Sequence, residues 1–190
     1  MPELVVRPDP DLWTPVPDVD RDPVAAAAWL EEQVDRAPAS ERERVTVAAA
    51  LALRERSGGE PALVLLLNAP QHGLVATLSL YVLTGMPVPS DEQAATDLAA
   101  RILASEWDLH GLAVSWGASS GWRFTALDAP VAESGIAIAE AASTVYVLSH
   151  AGHAIVALLP PLRPEQATAA QVVAERVLST LEIPVVPDVR

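Results

Sequence analysis

The feature that most constrains this chain lies in its second half. Between Leu112 and Leu158, apolar runs follow one another with connections too short to hold a crossover helix. The runs are Leu112–Trp116, Trp122–Leu127, Ile136–Ala139, Thr144–Leu148 and Ala154–Leu158. A parallel pair needs a connection of about a dozen residues or more, so these strands are expected to pair as an antiparallel meander. Pro160-Pro161 is expected to stop the last of them. Upstream, Ala62–Leu67 and Leu74–Leu83 read as two more strands around the turn-like Asn68–Gly73 link.

Helical signals sit outside that block. Asp22-Pro23 is a good N-cap followed by proline at the first helical position, with Val24, Ala27, Leu30 and Val34 as an apolar stripe. Ser40 to Arg56 carries two patterns. Ser40 with Glu43 makes a capping box and the alanines favour helix, whereas Val45, Val47, Ala49, Leu51 and Leu53 alternate as in a strand. The capping signals and alanine content favour the helix. Ser90 with Gln93 opens a third helix, and Pro164 opens a fourth with Ala167, Ala170, Val173, Val177 and Leu181 on one stripe. The expected fold class is α+β: an antiparallel sheet of about six or seven strands packed with three or four helices. Residues 1–22 read as an extended Pro/Asp-rich arm anchored at Trp13 and Val5-Val6, 23–183 as one domain and 184–190 as a short tail.

From about residue 105 onward, the layout resembles small proteins of high-GC bacteria with a Mog1/PsbP-like sheet. Those also end in a strand pair followed by an amphipathic helix. Here the pair is Val145-Tyr146-Val147 with Ile155–Leu158, and the helix is Gln166 to Leu181. The resemblance covers less than half the chain and implies a binding or assembly role. It assigns no functional residue.

Composition excludes several chemistries. The chain has 190 residues and no cysteine, so disulfides, thiolate catalysis and Cys-ligated metals are out. Net charge is −13, there is no lysine, and the twelve basic residues are scattered arginines. A nucleic-acid partner needs a clustered basic face, and an anionic membrane repels this charge. The longest apolar stretch is broken at Asn68, Pro70 and Gly73, so no span is expected. With no basic apolar leader at Met1-Pro2-Glu3, a cytoplasmic location is expected.

Candidate chemistry is sparse. Gly117-Ala-Ser119-Ser-Gly121 matches the G-x-S-x-G elbow, with Asp128 and then His150 or His153 in hydrolase order. A strand rather than a helix follows it, so a Gly/Ser hairpin turn is the expected reading. His150-Ala-Gly-His153 places two imidazoles across a two-residue turn, where they are candidate metal ligands lacking evident co-ligands, with His72 and His110 available only if the fold brings them near. Trp116 and Trp122 flank the Gly/Ser turn and are candidate ring-binding residues, together with Trp13. Glu106 and Asp108 are close in sequence without marking an acid/base pair. No cofactor is implied.

The leading functional expectation is a non-catalytic protein-interaction or assembly module, adaptor-like or chaperone-like. With 51% hydrophobic residues, helices are expected to cover one sheet face, and the N-terminal arm anchored at Trp13, a protein partner or a second copy the other. The alternatives are a small-molecule-binding domain and a minor hydrolase or metal-dependent enzyme.

Overall fold

The computed structural model describes residues 4–58, 60–103, 109–128 and 141–184. Helix α1 (Pro23–Asp35) starts where the sequence places it: the Asp22 carboxylate accepts from Ala25 N at 2.9 Å. Its buried face is Ala26, Trp29 and Gln33, so the stripe is rotated and Val24 faces solvent. Trp29 decides the rotation. Its ring is the largest apolar group on the helix and packs with Val16, Ala49, Ala52, Val64 and Leu66.

Helix α2 (Arg42–Arg56) resolves the ambiguous segment. The alternating residues divide between faces, with Val45 and Ala49 buried and Val47 and Leu51 exposed, as a helix requires and a strand forbids. The Ser40/Glu43 capping box does not form. Ser40 lies in a 3-10 turn, Ala39–Glu41, which moves the N-cap to Glu41. Helix α3 (Glu92–Leu103) is capped by Asp91 rather than Ser90: Asp91 accepts from Ala94 N at 2.9 Å while the Ser90 hydroxyl donates to it at 3.0 Å. Those bonds, the Ala94 N–H foremost, hold the Asp91 carboxyl below its usual range. Helix α4 is Pro164–Leu178.

The strands are β1 (Trp13–Pro15), β2 (Leu63–Ala69), β3 (Leu74–Leu83), β4 (Leu112–Trp116), β5 (Ser119–Asp128), β6 (Ala141–His150) and β7 (His153–Leu162). They form one antiparallel sheet in the order β1-β2-β3-β7-β6-β5-β4. Two sequential runs, β1–β3 and β4–β7, meet where β3 pairs with β7. The α+β expectation holds. Pro160-Pro161 does not end β7, which continues to Leu162. A register shift opposite, between Ala142 and Thr144, accommodates two residues that cannot donate to a ladder. The strand expected at Ile136–Ala139, Glu106, Asp108 and most of the tail lie outside the described residues.

The N-terminal stretch is built into the sheet. Trp13 pairs with Leu67, and Val5 exchanges both backbone hydrogen bonds with Glu182 at 2.9 Å. Leu4, Trp13 and Val16 are buried.

Register shows how the sheet is covered. Leu65, Leu78, Leu80, Tyr146, Leu148, Ile155 and Ala157 share one face and pack under α4. On the other face, α1 and α2 cover Val64 and Leu66, while α3 covers Phe124, Val145, Val147 and Val156. Helices of the same chain therefore lie on both faces, leaving the β3/β7 strip between α2 and α3 and the edge strand β4 less covered. The second face, expected to need the N-terminal arm or a second protein, is covered in large part by α1, α2 and α3. Among the described residues, no helix is long and apolar enough to cross a membrane.

Candidate functional site

The two-residue turns at the ends of β4 and β6 bring four side chains into one row. Trp116 pairs with Ser119, Ser119 with His150, and His150 with His153, so all four share the α4 face at one end of the sheet. Ala151 (φ 48°) and Gly152 (φ 79°) make the His150–His153 turn in the left-handed geometry such hairpins need. Ser119 Oγ lies 2.7 Å from His150 Nδ1, and the two residues are 2% and 6% exposed.

A serine–histidine contact invites comparison with a hydrolase, but the rest of the constellation is not assembled. Asp128 stands at the opposite end of β5 from Ser119, nine strand rises or about 30 Å away. Ser119 opens a strand rather than a helix, so it lacks the sharp elbow that exposes a nucleophile. The pair reads as a satisfied buried contact. Metal chemistry fares no better: among the described residues, no group of three His, Asp or Glu side chains could hold an ion. His72 lies in the 3-10 turn between β2 and β3, at the other end of the sheet, and His110 precedes β4.

Burial sets the titration of this row. Desolvation, then the facing His153, pushes the His150 imidazole below its ordinary 6.5, with Glu182 opposing weakly. The folded state thus binds a proton less readily than the unfolded one. Stability is expected to be full above about pH 6.5 and to fall as pH drops below it. Thermal melts between neutral and mildly acidic pH check this. His150→Gln should flatten the profile over that interval, and an unchanged slope would contradict the assignment.

The tryptophans do not come together. The turn is only Gly117-Ala118, so Trp122 pairs with Ala113 and points to the face opposite Trp116. Trp116 packs on Tyr146, with ring centroids 6.3 Å apart, while Trp122 packs against the α3 cluster. The two candidate ring-binding tryptophans thus stand on opposite faces, whereas a five-residue turn over Gly117–Gly121 would have paired them across the strands. Trp13 is 1% exposed and offers no ring face to a ligand.

A more apolar hollow, one of several among the described residues, lies elsewhere. On the face shared by α2 and α3, the two helices leave the β3/β7 strip between them. A groove of about 510 Å³ runs there, lined by Leu51, Glu55, Val75, Thr77, Pro160 and Leu162 among others. It continues toward α3 as a hollow of about 250 Å³ reaching Ile102 and Leu103. Thr77 Oγ1 donates to Glu55 Oε2 at 3.3 Å, the main polar contact in the groove. Burial, reinforced by Glu55 and Glu60, raises the Tyr81 hydroxyl pKa on the same face. Leu51 borders this groove and Val47, one helical turn earlier, borders a neighbouring hollow; each is 55% exposed. This shallower hollow of about 560 Å³ lies on their other flank, beside Ser40, Glu43 and Arg44.

Sequence reasoning missed this site. Val47 and Leu51 were counted in an alternating pattern, although their spacing of four already placed them together on a helix. The partner surface from β3 and β7 is non-local, and no sequence signal announces it. No protein-family model matches the chain, and no curated protein matches it either.

Proposed function

We propose that this domain is a non-catalytic binding module of the cytoplasm, adaptor-like or chaperone-like, that seats apolar side chains of a protein partner in the groove beside α2. The observation that carries the reading is the exposed Leu51 bordering an apolar groove, with the equally exposed Val47 one turn away on the same helix. Large apolar side chains are also exposed at Val24, Leu112, Leu127 and Val172; what distinguishes α2 is that its exposed Leu51 lines an apolar groove. Solvent-exposed apolar residues next to a concave apolar surface are the usual mark of an interaction site. The groove's volume also lies within the range of small-ligand pockets, and the Thr77–Glu55 pair would orient a small apolar molecule there. That is the second reading.

The apolar dye N-phenyl-1-naphthylamine tests the site. Its fluorescence is expected to rise on binding and to be lost in Leu51→Glu and in Ala48→Trp, which fills the groove. Both variants should keep the wild-type melting temperature. Equal dye binding by all three proteins would overturn the assignment of the groove.

A further inference from the structure

Helix α2 is electrostatically unlike the rest of the molecule. It carries Arg42, Arg44, Arg54 and Arg56 against Glu43 and Glu55, a net positive charge in a chain of −13. The other three helices are each net negative. Two of the four arginines are engaged: Arg44 pairs with Glu41 at 2.8 Å, and Arg56 donates to the Pro61 carbonyl at 2.7 Å. Arg42 and Arg54 make no ion pair or side-chain hydrogen bond among the described residues, and Arg54 lines the groove beside Leu51.

The placement of these charges follows the helix period. Arg44, Val47, Leu51 and Arg54 are spaced three, four and three apart, so they form one stripe along the exposed side of α2. Ten residues of helix span about 15 Å. An apolar centre thus stands between two guanidiniums, the one at Arg54 unpaired.

Resting on the binding-module reading, we infer that the partner is an acidic amphipathic segment. It lays an apolar face along Val47, Leu51 and the groove, and places carboxylates toward Arg54 and Arg44. A helix of three to four turns with apolar residues four apart fits both the length and the spacing. Charge complementarity makes the choice: α2 is the one net-positive helix of this anionic molecule, and its unpaired Arg54 stands at the edge of the apolar groove. A lipid surface fits less well, because the groove is concave and the whole molecule is anionic.

The test uses fluorescence anisotropy with three designed peptides of about four helical turns, identical in their apolar face. Their flanking residues are Glu, Gln or Lys. At low salt the Glu peptide is expected to bind the full chain about fivefold more tightly than the Gln peptide, the scale of an exposed ion pair. High salt should erase that advantage. Arg54→Gln should remove it and Arg54→Glu should transfer preference to the Lys peptide; Arg54 is exposed, so neither change threatens folding. Equal binding of Glu and Gln peptides, both abolished by Leu51→Glu, would overturn the acidic partner while leaving the groove as a binding site. Absence of all peptide binding, with the dye still held, would overturn the peptide partner in favour of a small molecule. Sedimentation with phosphatidylglycerol vesicles but no peptide binding would overturn it in favour of a membrane surface.

Discussion

Alanine at Gly121 is expected to lower the melting temperature by roughly 10 °C, from a stability loss of about 4 kcal/mol. Gly121 sits in β5 between Val114 of β4 and Leu148 of β6. A Cβ added there would overlap the Val147 carbonyl oxygen and approach Leu148 Cα to 2.9 Å. Both are backbone atoms of a central strand, so neither can swing aside as a side chain would. Relief requires β5 and β6 to separate, which breaks a ladder that runs from Ser119 to Asp128. Gly117 is the useful contrast. An added Cβ meets nothing within 4 Å there, and the cost comes only from its φ of 55°. Circular dichroism melts of the two alanine variants separate the cases. A Gly121→Ala melt within a few degrees of wild type would contradict the close approach.

Truncating Trp13 to alanine is expected to cost about 4 kcal/mol, the usual scale for emptying a large buried aromatic site. Trp13 lies in a segment whose prolines and aspartates suggest a solvated arm, yet it is fully buried and packs in the cluster that includes Leu65, Leu67 and Leu178. Pairing of β1 with β2 and of Val5 with Glu182 ties the same segment down on both sides of it. Urea unfolding of Trp13→Ala gives the value directly. A loss below about 1 kcal/mol would mean that the segment detaches without disturbing the core.

These two positions show where the sequence is legible and where it is not. The antiparallel sheet was readable because each strand from β4 to β7 is apolar and each connection short, so local pattern and global pairing agree. The Asp22 cap and the α2 helix were readable for a similar reason: the signals lie within a few residues of what they specify. Trp122 was misplaced relative to Trp116 because a turn of two residues rather than five inverts the face of every residue beyond it. Val24 was misplaced because the face a helix buries depends on what waits below it, here the space that Trp29 fills. Hydrolase order had already grouped Ser119 with His150 or His153; which histidine meets the serine required the register of β5 on β6. The groove was the least legible feature, since it is a gap between α2 and α3 above strands that are distant in sequence.

The central claim is that a protein partner docks along α2. Site-specific photo-crosslinking in lysate of the source cells tests it most directly, with a benzophenone side chain placed at position 51. Position 172 is the control, since Val172 is similarly exposed but on α4, away from the groove. The account predicts a discrete adduct from position 51, absent from position 172 and lost when Ala48→Trp fills the groove. The adduct should contain an acidic amphipathic segment at the crosslinked site. The same adducts from both positions, or an adduct from position 51 that survives Ala48→Trp, would contradict it.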